Sequence, residues 1–153
     1  MSYIATTRFN SETWNSNKRW RELNNFDGCI YGTPVEIKQS TQFGCKIYVL
    51  EMNNNSNIIE GIGLIINNPG KKIRIYNDNN YNRYIYSGKC RIDKKEFNLE
   101  EQNIIKILEI LLFRGCRHMK RGQSITVLPS WISNYKSLKN IQEEENKRDK
   151  KIQ

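Results

Sequence analysis

"RGCRHMKRGQ", residues 114–123, carries four positive charges, the only histidine of the 153-residue chain, a cysteine and no acid. Arg114, Arg117, Lys120 and Arg121 at this density are what a polyanion backbone needs, and His118 suits a neutral hydrogen-bond partner beside it. A second basic stretch supplies Lys72, Arg74, Arg83, Lys89 and Arg91; residues 71–96 hold eight basic and three acidic side chains. Trp14, Trp20, Tyr31 and Tyr48 offer flat faces on which an unpaired base could stack. Asp27, followed by "PVEIK" with Glu36 and Lys38, has the form D…E-x-K. There two carboxylates would hold Mg²⁺ and a lysine would orient the attacking water.

Most catalytic classes lack their residues. One histidine cannot run a two-histidine metal or phosphodiesterase mechanism, and no nucleophile-elbow motif accompanies His118. Neither G-x-x-x-x-G-K-[ST] nor G-x-G-x-x-G occurs, so no nucleotide cofactor is expected. Cys29, Cys45, Cys90 and Cys116 form no C-x-x-C pair and read as small apolar groups. A zinc site from Cys116, His118 and two distant cysteines lacks the close-spaced ligand pairs of structural zinc. E-x-K is short in a lysine-rich chain, and "DKK" at 93–95 is another near-match. The nuclease therefore stands as the alternative, against the simpler reading of Glu36 and Lys38 on the wet side of an edge strand.

The net charge of +9 is unevenly placed, since residues 35–70 and 97–113 are each slightly acidic. Such segregation is the electrostatic footprint of a nucleic-acid partner rather than a membrane. The abundance of asparagine, isoleucine and lysine points to an AT-rich genome, of the kind many viruses have. Without a spanning apolar run or a signal-peptide pattern, a soluble intracellular protein, cytoplasmic or nuclear, is expected.

The elements that must position these groups follow from the hydrophobic pattern. "NSETWNSNKRWREL" reads as a short helix or helical turns capped by Asn10 or Ser11, with Asn15 and Asn17 weakening it. "GCIYGTPVEI" reads as a strand, a turn at Gly32, then another extended piece. "CKIYVLEM" and "IIEGIGLII", joined by the polar turn "NNNSN", are strands apolar on both faces and so interior to a sheet. Gly61 and Gly63 point to one side, which predicts either a strand bend or a spot approached closely by another backbone or a ligand. "KKIRIY", "NDNN" and "YNRYIYSGKCRI" predict a hairpin with one basic face. The run from Asn98 to Gly115 is the long helix, with a capping box at Asn98 and Glu101 and Gly115 as its stop. "SITVLP" predicts a closing strand, and "SWISNYKSLK" a short amphipathic or loop segment. The expected organisation is one domain over 1–140 and a charged, disordered tail over 141–153.

The stretch 44–65 resembles the central hairpin of PUA-like barrels, the superfamily of the EVE, ASCH and YTH domains, through Gly44, Ile47, Tyr48, Val49, Ile59, Gly61, Ile62 and Gly63. An acid is usual after the first glycine, where this chain has Cys45. The aromatic-cage residues of the modified-base readers have no one-to-one match, so no cage is assigned. The resemblance implies an α+β fold with a small curved, mostly antiparallel barrel-like sheet. It also implies binding of RNA or DNA, including a flipped or modified base, and of the two RNA is the expected partner. Non-specific packaging of nucleic acid is the other binding alternative.

Overall fold

A computed structural model describes residues 2–133 of the chain. In chain order these form β1 (Ser2–Phe9), α1 (Ser11–Leu23), β2 (Cys29–Thr33), β3 (Lys46–Asn53), β4 (Ile58–Ile66), β5 (Tyr84–Gly88), β6 (Cys90–Asp93), α2 (Leu99–Phe113), β7 (Thr126–Val127) and a short α3 (Ser130–Ser133). The fold is α+β. Its main sheet has the order β6-β4-β3-β1-β7, and β2 pairs with β5 as a separate ribbon. The expected tail, 141–153, lies outside the described residues, as does most of "SWISNYKSLK".

Strands β3 and β4 form the anticipated hairpin, buried on both faces because the sheet has a layer on each side. On one side Tyr48, Leu50, Met52, Ile59, Ile62 and Leu64 pack against Ile104, Ile105, Leu108 and Leu112 of α2. On the other, Ile47, Val49 and Ile65 meet the β2–β5 ribbon, with Trp14 and Trp20 of α1 packed against the same cluster. Helix α2 begins with the capping box of Asn98 and Glu101, and Gly115 takes φ +80° just beyond its end, a region that costs glycine little.

Four expectations are corrected. Residues 2–9, given no element by their pattern, form a central strand that pairs parallel with β3 over eight residues. Thr6 and Thr7 are buried there, which hides the apolar alternation. Of the two readings for residues 10–23 the helix forms, as the 13-residue α1 capped by Asn10, whose side chain accepts from Thr13 N–H. Asn17 does not weaken it, because its Nδ2 donates to Ile30 O at 2.6 Å and to Tyr76 Oη at 3.0 Å, docking α1 onto β2. The hairpin over 71–92 does not form: 71–76 is irregular, β5 pairs with β2, and β6 pairs with β4. The extended piece expected after Gly32 is likewise irregular beyond Thr33. The ladders are mostly antiparallel, with β1–β3 the parallel exception, and they remain two sheets rather than one closed barrel.

Candidate nucleic-acid interface

One small cavity of about 180 Å³ is lined by uncharged residues of the two basic stretches, Tyr76 and Tyr81 of one and Gly122 and Gln123 of the other, and its only basic lining residue is Arg8. It opens where the carboxyl end of β1 passes into α1. Phe9, Tyr76 and Tyr81 supply aromatic surface, Thr7, Asn10, Thr13 and Asn54 supply hydroxyls and amides, and Gly122 and Gln123 bring in the end of the basic loop. No acidic side chain lines it. An engineered cavity of about 150 Å³ holds a benzene ring, so this volume suits one heterocycle and excludes a base pair.

Local chemistry fixes these walls. Tyr76 is buried and Tyr81 half-buried, with ring centroids 6.4 Å apart in an edge-to-face arrangement. They can approach β2 because residue 32 is glycine: a Cβ there would lie 2.1 Å from Tyr81 O and 2.9 Å from the Tyr76 ring. Asn82 holds the strandless segment in place. Its Oδ1 accepts from the N–H groups of Ile75 and Tyr76, both at 3.0 Å, and its Nδ2 donates to Tyr76 O at 2.8 Å. Burial, foremost, pushes the Tyr76 hydroxyl up to about 12.

The basic loop is held from β1. Arg8 donates to Gly122 O at 3.2 Å, Met119 O at 3.0 Å, Ser124 O, Thr126 Oγ1 at 2.8 Å and Thr6 Oγ1 at 3.3 Å. Asn54 Nδ2 donates to Lys120 O at 2.8 Å. Within the loop His118 Nδ1 accepts from Lys120 N–H at 3.2 Å. Arg114, Arg117 and Arg121 are exposed, and His118 and Lys120 half-buried.

Lys72, Arg74 and Arg83 come together around a groove of about 420 Å³. The 3-10 turn Asn79–Asn82 separates this groove from the cavity, giving Tyr81 to one and Asn79 and Asn82 to the other. Lys89 is exposed between β5 and β6 and lines neither.

Arg91 is not available to phosphate. Its side chain is 6% exposed and grips the 2%-exposed Glu51, with Nη2 to Oε1 at 2.6 Å and Nε to Oε2 at 2.9 Å; its Nη1 reaches Asp93 at 3.0 Å. Tyr31 donates to Glu51 Oε2 at 2.6 Å. Burial opposes the Arg91 charge, yet the Glu51 carboxylate outweighs it and raises Arg91 above its ordinary value. Gly61 and Gly63 make room for this cluster. A Cβ at Gly61 would lie 2.7 Å from Arg91 Nη2, and one at Gly63 would lie 2.2 Å from Tyr31 Oη. The close approach is thus made by side chains at Gly63, and at Gly61 by side chains together with the backbone carbonyl of Ile92, 2.7 Å from a Cβ there.

Of the four stacking candidates, Tyr31 and Tyr48 are corrected, while Trp14 and Trp20 are half-buried. Tyr31 and Tyr48 are core residues, 1% and 2% exposed. Trp14 packs edge-to-face on Phe9 and has the guanidinium groups of Arg21 and Arg91 5.4 and 5.5 Å from its ring centroid. Trp20 packs edge-to-face on Phe26. Trp14 does border a wide cleft of about 700 Å³, but that cleft interleaves Lys18, Arg21, Lys94 and Lys95 with Glu22, Asp27, Glu60, Asp93 and Glu96. Mixed charge of this kind gives a polyanion no net attraction. The rings that line the small cavity, Tyr76 and Tyr81, went unrecognised in the sequence because they bracket an asparagine-rich run that reads as a hairpin turn.

The nuclease pattern is not assembled. Asp27 borders the wide cleft before β2, whereas Glu36 and Lys38 are exposed in the irregular segment beyond its other end, rather than on an edge strand. Among the described residues no group of three or more His, Cys, Asp and Glu could hold a metal ion, and no helix is long and apolar enough to cross a membrane. The chain matches no family model, no curated protein and no solved structure.

Proposed function

We propose that the chain binds nucleic acid, single-stranded RNA ahead of DNA, by taking one unpaired base into the small cavity while the flanking loops hold the backbone. The observation that carries this reading is a ring-sized cavity with aromatic walls and no acid, to which Tyr76 and Tyr81 of one basic stretch and Gly122 and Gln123 of the other all contribute. Tyr81 is the stacking face. Arg114, Arg117, Lys120 and Arg121 on one side, and Lys72, Arg74 and Arg83 on the other, are the phosphate contacts. A PUA-like architecture accords with this reading, the β2–β5 ribbon serving as the second wall of an open barrel. A Cβ on Gly88 of β5 would lie 1.7 Å from Leu64 O of β4, so ribbon and sheet press closely together there.

Fluorescence anisotropy of labelled single- and double-stranded RNA and DNA across a salt series tests it. Single strands are expected to bind more tightly than duplex, and Tyr81→Ala to lose about 1–3 kcal/mol, the worth of one stacked base. Equal binding of single strand and duplex with no effect of Tyr81→Ala would replace base reading with packaging. No binding at low salt would remove the nucleic-acid reading.

A further inference from the structure

Arg8 and Arg91, both withdrawn from solvent, are treated in opposite ways. Arg91 is neutralised by Glu51 and Asp93. Arg8, half-buried and lining the small cavity, spends its guanidinium N–H groups on three carbonyls and two hydroxyls. None of these partners is charged, and no carboxylate lines the cavity. Burial accordingly lowers Arg8 below its ordinary value. A desolvated cation whose hydrogen bonds are satisfied but whose charge is not lacks only an anion, and a ligand can supply one.

Resting on the nucleic-acid reading above, we infer that the cavity is selective for a nucleoside monophosphate unit, its ring among Phe9, Tyr76 and Tyr81 and its phosphate at the mouth within the field of Arg8. Because the Arg8 donors are already engaged with the loop, the arginine acts through space. Direct contact to the phosphate falls to the exposed Gln123 at the cavity mouth. A free mononucleotide and the 5′-phosphorylated end of a strand both present this chemistry.

The test titrates ¹⁵N-labelled protein with adenosine, uridine and their 5′-monophosphates, reading the amides of Thr13, Gly32 and Gly122. The monophosphates are expected to shift these amides and to bind at least about tenfold more tightly than the nucleosides. Arg117→Ala with Lys120→Ala, whose contacts are to the flanking phosphates of a strand, is expected to weaken oligonucleotide binding but to keep the mononucleotide preference, while Arg8→Met loses that preference. Should Arg8→Met not fold, the wild-type comparison and the loop variant decide the matter without it. Equal binding of nucleoside and monophosphate, with oligonucleotide binding intact, overturns the inference and leaves the nucleic-acid reading standing. Loss of the preference in the loop variant overturns it as well, because the loop would then be what reads the charge. Absence of both nucleotide and oligonucleotide binding overturns both readings. The two sources are separated by comparing short oligonucleotides bearing a 5′-phosphate or a 5′-hydroxyl. Tighter binding of the phosphorylated strand supports end recognition, and indifference of the strands alongside mononucleotide binding supports the free nucleotide.

Discussion

Replacing Arg91 with methionine separates structural from functional arginine in this fold. The substitution keeps a long apolar stem in place and removes every N–H that Glu51 receives from the guanidinium, including the 2.6 and 2.9 Å contacts. The Glu51 carboxylate would keep the Tyr31 hydroxyl but remain 2% exposed without a cation. Removing one partner of a buried pair costs about 3–5 kcal/mol, a large part of the roughly 5–15 kcal/mol that holds a domain together. At roughly 2–4 °C per kcal/mol for a domain of this size, Tm should fall by about 6–20 °C. Glu51→Gln combined with Arg91→Met removes both charges while the new amide can still accept from Tyr31, so most of the loss should return. Urea unfolding of the wild type, the single and the double variant measures this directly. A loss below about 1 kcal/mol in Arg91→Met, or a double variant less stable than that single one, would refute the reasoning. Oligonucleotide anisotropy on the double variant completes the experiment: the salt slope should equal that of the wild type, whereas a phosphate-contacting Arg91 would lower it by about one.

Arg117→Ala with Lys120→Ala should weaken oligonucleotide binding and reduce the salt slope by about two, with unfolding midpoints little changed because Arg117 is exposed and Lys120 half-buried; unchanged affinity would deprive the loop of its role. Gly63→Ala should destabilise the protein by about 1–3 kcal/mol, since its methyl would sit 2.2 Å from Tyr31 Oη and 2.6 Å from Cys29 Sγ; thermal melts showing no loss would mean that the cluster is loose. The fold should also lose stability in alkali. Burial, foremost, raises Tyr31 well above its ordinary value and pushes Cys29 and Tyr76 up to about 12. Cys29 and Tyr76, raised on folding, contribute stability that is complete below their unfolded values of 9.0 and 10.0 and that disappears as pH climbs through about 12. The Tyr76 shift alone corresponds to about 3 kcal/mol. Circular-dichroism melts over this range check it, and a Tm flat from about pH 8 to about pH 12 would contradict the burial of these rings.

What the sequence by itself determined is whatever depends on neighbours a few residues away. The hairpin β3–β4 is visible in its apolar runs and polar turn, and α2 in its capping box and glycine stop, because backbone propensity and local capping act within one turn. The uneven charge was equally plain. Strand β1 was not, because its stability comes from parallel pairing with β3, some forty residues away, which buries Thr6 and Thr7 that read as polar. The hairpin expected over 71–92 failed for the same kind of reason: β5 and β6 each found a distant partner, β2 and β4, in place of the adjacent segment. Chain folding alone decided the site. Arg8, Arg91 and Arg117 look alike as letters, yet one pins a loop and walls a cavity, one neutralises a buried glutamate, and one faces solvent. Likewise Tyr31 is sealed in the core while Tyr81 borders the cavity. The availability of a charge or a ring depends on what tertiary packing places around it, and that information lies in contacts between distant parts of the chain.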